Sequence, residues 1–206
     1  MSKFWIILFV VPCLVLSQSR KKKPIIEEIK FSIEPNVRVM KAIGDNAMNK
    51  ALSPFVGFGI GGTLDFYKGF GLTAEYNYLT ANLDKDNQGG LFGYMSAATM
   101  HNFEFSGVYK HNIGEDVDLE ALAGASIYRI TSKFIDKGGN FNEGNAGFHI
   151  GGKILYTLDR EGVQQVLCGT KLNYYTASIR NQNPKIEEFY SKAWFLNISL
   201  AYRINF

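Results

Sequence analysis

The clearest pattern in this chain is the alternation of apolar with polar or small residues over positions 193–206. One face of that segment is almost wholly apolar and comprises Trp194, Leu196, Ile198, Leu200, Tyr202, Ile204 and Phe206. The other face includes Asn197, Ser199, Arg203 and Asn205. A period of two residues predicts a β-strand. About ten such residues, tilted, cross a bilayer with the apolar face toward lipid and the polar face toward a lumen.

The same alternation recurs along the chain and predicts eight strands: 31–40, 52–64, 70–79, 102–111, 117–130, 147–158, 163–176 and 193–206. Short connections rich in Gly, Asp and Asn alternate with long ones. The short ones are 65–69, 112–116 and 159–162, and the long ones are 41–51, 80–101, 131–146 and 177–192. Every second connection of an up-and-down sheet lies on the same side, so all long loops share one end. The predicted fold is all-β, an eight-stranded antiparallel up-and-down transmembrane β-barrel.

A soluble lipocalin-like barrel would have the same layout with its two faces exchanged, an apolar interior and a polar exterior. The apolar face of the segments collects residues such as Phe58, Tyr76, Phe105 and Ile150, whereas the opposite face carries charges of both signs. The aromatic carboxy terminus, the tyrosine-rich strand ends and the amino-terminal segment described next favour the transmembrane interpretation.

The amino terminus has the features of an export signal. Lys3 precedes an apolar run over 5–16, and small residues before Gln18 offer a cleavage site. We therefore expect a signal peptide at 1–17, a periplasmic segment at 18–29 and a barrel domain at 30–206. Cleavage would leave Cys168 as the only cysteine, so no intrachain disulfide is expected.

A barrel of eight strands has a lumen just wide enough for side chains to fill. We expect the lumen to be plugged by paired charges, because an unpaired buried charge is costly. The predicted lumen carboxylates are Glu34, Glu75, Glu104 and Glu120, and the predicted lumen cations are Arg38, Lys153, Lys171 and Arg203. Gly57, Gly59 and Gly61 would make room for their long side chains.

The chain resembles the outer-membrane β-barrel superfamily, in particular the small eight-stranded OmpA/OmpX-like barrels and the related "porin family" proteins. The final residues 201–206 are similar to the signal by which the barrel-assembly machinery recognises such chains, which implies an assembly role for Tyr202 and Phe206. The resemblance also implies location in the Gram-negative outer membrane, with outer-membrane lipid and the assembly machinery as partners.

Few residues suggest chemistry. Residues 57–62 match G-x-G-x-x-G, but that motif binds dinucleotides only between a strand and a helix, whereas here it lies inside an alternating strand. His101, His111 and His149 lack the spacing of a metal site, and Ser126 with His149 is the one conceivable catalytic pair. We predict no catalytic residue, cofactor or metal, and the net charge of +3 gives no reason to expect nucleic acid binding.

Function is expected in the long loops, because rigid scaffolds commonly carry function there. Apolar loop residues such as Ile43, Ala47, Met48 and Leu52, and the stretch 91–95, either pack together as a cap or bind a protein partner. The favoured role is structural or interactive. Alternatives are transport of small solutes or apolar molecules through the barrel, an accessory role in a secretion or outer-membrane assembly complex, and a lipid-modifying enzyme using His149.

Overall fold

The computed structural model describes residues 29–84, 91, 96–135, 138–177 and 182–206. The predicted signal peptide, nearly all of the predicted periplasmic segment and residues 92–95 of the apolar loop stretch lie outside these residues. No helix within the described ranges is long and apolar enough to cross a membrane.

Eight antiparallel strands form a closed barrel in chain order. They are β1 (Lys30–Ile43), β2 (Phe55–Tyr67), β3 (Phe70–Ala81), β4 (Ala98–Asn112), β5 (Val117–Lys133), β6 (Asn140–Thr157), β7 (Gln164–Thr176) and β8 (Lys192–Asn205). β1 pairs with both β2 and β8, so that Arg38 lies opposite Gly57 on one side and Ser199 on the other. The predicted fold is confirmed.

Tight turns join the strands at the end of the barrel where β1 begins and β8 ends, which we call the terminus end. Lys68 and Gly69 connect β2 to β3 and both have positive φ, 44° and 87°. Two consecutive positive φ values match the right-handed twist of a hairpin, and glycine adopts them without strain. Three of the four connections at the other end, β1–β2, β3–β4 and β7–β8, are longer, as the sequence predicted.

One predicted long connection is wrong. The segment 131–146 is mostly strand, because β5 and β6 continue pairing as far as Lys133 opposite Asn140. Polar residues occupy much of this extension, and backbone pairing does not require an apolar face. The predicted 80–101 connection is also shorter, since β4 begins at Ala98.

Two short helices occupy the loop end, and the sequence pattern did not predict either. α1 (Ala47–Ala51) begins after Asn46, whose side-chain oxygen accepts a hydrogen bond from the Asn49 amide at 2.8 Å. α2 (Pro184–Ser191) begins after Asn183, which caps Lys185 N in the same way at 3.0 Å. Asparagine before the first turn satisfies an amide that a helix leaves unpaired. Because α1 occupies this loop, β2 starts at Phe55 and not at residue 52.

The two faces of the barrel differ sharply. Exposed apolar side chains form a belt around the outside; the belt includes Val37, Phe58, Leu72, Phe105, Ile127, Ile150, Ile198 and Leu200. On β6 the belt runs from Phe148 to Tyr156, about nine residues, which is the length that a tilted strand needs to cross the hydrocarbon core. Aromatic clusters lie near its edges, such as Phe148, Tyr174 and Trp194 at the loop end and Phe31 with Phe206 at the other.

Candidate functional site

The lumen contains all eight charged residues that the sequence singled out. Each is at most 6% exposed. Six strands contribute one residue each, and β1 contributes two, Glu34 and Arg38. The alternation explains this placement, because every one of them occupies the inward parity of its strand.

Glu75 lies at the centre of the charged network. Its carboxylate accepts hydrogen bonds from Lys171 Nζ at 2.6 Å, Arg38 Nη2 at 2.7 Å and Lys153 Nζ at 2.9 Å. The nearby Glu104 accepts from Lys171 at 2.6 Å and lies 3.5 Å from Arg38 Nη1. Three cations therefore share two carboxylates in this layer.

A second layer lies closer to the termini. Arg203 donates two parallel hydrogen bonds to Glu120, at 2.6 and 2.8 Å, and its Nε donates to Glu34 at 2.8 Å. Lys153 Nζ bonds Glu34 at 2.7 Å and thereby joins this layer to Glu75. The paired Arg–carboxylate geometry is the strong, orientation-specific form of an ion pair. Asp65 and Lys110, 2.6 Å apart, form a further pair toward the same end.

These contacts cross the full width of the barrel. β3 and β7 lie opposite each other in the ring of eight, yet Lys171 on β7 bonds Glu75 on β3. The eight residues carry four negative and four positive formal charges. Side chains that meet from opposite walls with balanced charge close the lumen at this level.

Glycines on β2 face this network and leave it room. A Cβ added at Gly59 would lie 2.0 Å from the Asn77 side-chain oxygen, and one at Gly61 would lie 2.9 Å from the Glu75 side chain. The G-x-G-x-x-G match therefore lies within a strand, and its inward glycines serve close packing. Among the described residues there is no group of three or more potential metal ligands.

His149 lies just above the charged layers and is 1% exposed. The structure brings it next to Ser126, whose hydroxyl oxygen is 2.7 Å from Nδ1, and Ser106 lies 2.6 Å from Nε2. Serines therefore engage both ring nitrogens inside a closed lumen. Sequence reasoning identified the Ser126 contact, but not the second serine or the depth of burial.

An apolar layer closes the loop end of the lumen, and sequence reasoning missed it. It contains inward residues from the upper ends of the strands, namely Met40, Phe55, Leu79, Met100, Tyr128, Ile130, Tyr175 and Phe195. Phe195 packs against Phe55 and Tyr175 with ring centroids 6.4 and 6.2 Å away. The signal was present in the sequence, because on each strand these residues share the parity of the lumen charges.

The first loop covers this apolar layer. Ala47, Met48 and Leu52 are buried, and Met48 and Leu52 belong to the same apolar cluster. Lys41 Nζ fixes the loop by donating to the carbonyl oxygens of Asn49 at 3.3 Å and Leu52 at 2.8 Å. Of the two interpretations of these loop residues, the cap is therefore the one the structure adopts, although Ile43 remains exposed.

The outer rim leaves other apolar groups in solvent. Ile135, near the tip of the long β5–β6 hairpin, is 72% exposed. Ile186 on α2 is also exposed, while the Lys50 ammonium of α1 lies 5.2 Å from the Phe189 ring centroid. The first and last loops therefore contact each other and form a continuous surface around the cap.

The two residues of the expected assembly signal lie at the opposite end. The Phe206 ring packs on Phe31 with centroids 6.2 Å apart, and its amide donates to the Phe31 carbonyl at 2.8 Å. The Tyr202 hydroxyl donates to the Gln164 side chain at 2.6 Å. Both side chains belong to the outer face of the barrel, where Phe206 is exposed and Tyr202 is half-buried.

The closed barrel, its apolar belt and its plugged polar lumen define the class of protein: an integral membrane β-barrel of the outer-membrane type. No protein-family model and no curated protein sequence matches the chain.

Solved structures do match. A major outer membrane protein of Thermus thermophilus is 13% identical with a TM-score of 0.63, covering 87% of this chain and 100% of that one. Neisserial surface protein A is 13% identical with a TM-score of 0.60, covering 85% and 97%. Ail, the attachment invasion locus protein of Yersinia pestis, crystallised with the heparin analogue sucrose octasulfate, is 11% identical with a TM-score of 0.52, covering 87% and 99%. Identities this low establish the shared fold.

Proposed function

We propose that this chain is a non-conducting outer-membrane barrel whose role is structural or interactive, with its loop end as the binding surface and no enzymatic chemistry. One observation carries the proposal: two successive layers close the lumen. The ion-pair network spans it at mid-height, and the apolar layer under the first loop closes it above.

Solute transport through the barrel would require both layers to open. The ion-pair network is held by cross-lumen hydrogen bonds of 2.6 to 2.9 Å, such as those of Glu75 with Lys171 and Lys153. Separating them would leave buried charges without partners, which is costly. This disfavours the transport alternative.

The arrangement around His149 supports a non-enzymatic role. A histidine that activates a serine needs a reachable substrate position and an orienting group. Here serines occupy both ring nitrogens, and the side chain is buried between the charged and apolar layers. A hydrogen-bonded packing role accounts for these contacts.

The exposed loop end supports an interaction role. Ile135 and Ile186 present apolar surface above the membrane, on a scaffold that the network below makes rigid. Similar barrels include a Neisserial surface protein and a Yersinia protein bound to a heparin analogue, which are consistent with a role at the cell surface.

Single-channel recording tests the sealed lumen. The full-length protein, inserted in planar bilayers, is expected to give no steady conductance under conditions in which a general porin gives regular steps. Reproducible channels with a fixed unit conductance would contradict the proposal and favour transport.

Affinity purification from mildly solubilised outer membranes, with mass spectrometry of co-purifying chains, tests the interaction surface. We expect a stoichiometric partner that Ile135→Ser with Ile186→Ser weakens. The matched control is Ile113→Ser, which changes an exposed isoleucine at the terminus end. If the double variant and the Ile113→Ser control retained the partner equally, the interface would lie elsewhere. If the co-purifying chains were subunits of a secretion or assembly complex, this protein would be an accessory subunit of that complex.

A further inference from the structure

A cluster of polar and cationic side chains lies on the outer face of β4, β5 and β6, where the apolar belt ends. Phe103 and Ile127 are the last exposed apolar residues of their strands toward the loop end. The next outward positions are His101 and Arg129, which lie directly opposite each other in the β4–β5 pairing. The cluster therefore lies at the level where hydrocarbon gives way to lipid headgroups.

Neighbouring side chains hold both groups in place. Arg129 Nε donates to the side-chain oxygen of Asn142 on β6 at 3.2 Å. The Tyr76 hydroxyl lies 2.8 Å from His101 Nδ1 and engages that ring nitrogen. In the part of the chain that the structure describes, the two terminal nitrogens of Arg129 and His101 Nε2 make no hydrogen bond.

Three other cations of the rim already have partners. Lys192 pairs with Glu188 at 3.3 Å, Lys50 pairs with Asp45, and Lys41 donates to backbone carbonyls. Arg129 and the exposed Lys133, two outward positions further along β5, have no carboxylate partner among the described residues. Their outward neighbours are the uncharged Thr99 and Thr131.

We propose that this cluster is a binding site for a phosphate-bearing lipid headgroup of the outer leaflet. A guanidinium with two free nitrogens binds a phosphate in bidentate fashion, and Lys133 adds a second charge. Cations at the headgroup level attract anionic lipids. Exposed Phe103 and Ile127 directly below would contact the acyl chains, which favours a lipid over a free phosphate ion. The site is independent of whether the barrel conducts.

Native mass spectrometry of the purified full-length protein tests the site, with bisphosphorylated lipid A and its phosphate-free form as the two probes. We expect the wild type to retain the phosphorylated lipid preferentially. Arg129→Gln and Lys133→Gln should each weaken that retention about tenfold, as expected for the loss of one charge-assisted interaction. Arg129→Lys should fall between, because it keeps the charge and loses the bidentate geometry. Lys192→Gln, which changes a rim cation already paired with Glu188, is the matched control.

Retention of both lipids to the same extent by the wild type would overturn the proposal, as would equal losses in Arg129→Gln and Lys192→Gln. Displacement of the lipid by millimolar inorganic phosphate alone would show a simple ion site and would also overturn it. Unchanged heat-dependent electrophoretic mobility would confirm that each variant is folded, so that weaker retention reports on the site.

Discussion

The membrane-level part of the barrel and its loop end are built on the same strands, but their apolar side chains point in opposite directions. On β5, Ser126 faces the lumen while Ile127 faces out. Immediately above them on the same strand, the apolar Tyr128 and Ile130 face the lumen and the exposed Arg129 faces out. The lower part is polar inside and apolar outside, and the upper part resembles an ordinary soluble barrel.

The difference shows that the surroundings decide which face is apolar, since the backbone pairing is continuous through both regions. Where lipid surrounds the strands, the outer face is apolar and the lumen carries the charges, which must then pair. Above the lipid, water surrounds the strands, and burial of apolar side chains in the lumen provides the stability. Ion pairs thus stabilise one half of the lumen and hydrophobic packing the other.

The largest effect is expected from Glu75→Gln in the charged half. The substitution keeps the shape of the side chain but leaves Arg38, Lys153 and Lys171 with one carboxylate fewer. Loss of one partner from a buried ion pair costs about 3–5 kcal/mol. Urea unfolding in lipid vesicles measures the change. Glu188→Gln, in an exposed pair with Lys192, should cost at most about 1 kcal/mol; equal shifts for the two variants would show that the network contributes little.

In the apolar half, Phe195→Ala should reduce the free energy of unfolding by about 3–4 kcal/mol, because it removes a buried ring and leaves a cavity. Met100→Leu, which conserves volume, should cost less than about 1.5 kcal/mol. The same unfolding assay applies. A cost for Met100→Leu as large as that of Phe195→Ala would mean that specific shape, not burial, stabilises this layer.

The level of the membrane can be tested on the outer face. Leu200→Lys places a charge in the middle of the apolar belt and should cost about 2–4 kcal/mol in vesicles. Thr131→Lys places the same charge above the belt and should change stability by no more than about 0.5 kcal/mol. Equal losses of unfolding free energy for the two variants would show that the membrane does not surround the barrel at the level assigned to the apolar belt.

The smallest effect on stability is expected from deleting Phe206, which removes a surface ring contact with Phe31 and one backbone hydrogen bond to it, together worth about 1–2 kcal/mol. Its effect on assembly should be much larger, because the terminal aromatic belongs to the predicted assembly signal. Quantitative immunoblotting of outer membranes should show reduced insertion while refolding of the purified chain in detergent is unchanged. Normal insertion in cells would argue against the signal.

The alternation in the sequence was sufficient to predict the strand number, three of the four long loops and the parity of residues such as Glu104 and Lys171. It was not sufficient to predict which charges meet. Arg38 reaches Glu104 three strands away, and such pairs depend on the stagger between strands, which no local pattern encodes.

The apolar upper lumen escaped prediction for a different reason. Met40, Leu79 and Met100 have the parity of the lumen charges, but the rule that apolar residues face outward holds only for the part of each strand that lipid surrounds. The position at which water replaces lipid is not a property of the alternation itself. It becomes evident only when outward residues such as Arg129 and inward residues such as Tyr128 are compared at the same height.

The central claim is that the lumen is sealed and that the apolar face changes from outward at the membrane level to inward at the loop end. Thiol labelling along β5 tests it most directly. Single cysteines at 126, 127, 129 and 131 are placed in a Cys168→Ser background, and the protein in vesicles is treated with a charged, water-soluble maleimide. Labelling is predicted at 129 and 131, which face water, and not at 126, inside the lumen, or 127, in lipid. Rapid labelling at 126 would show a water-filled lumen and would contradict the account.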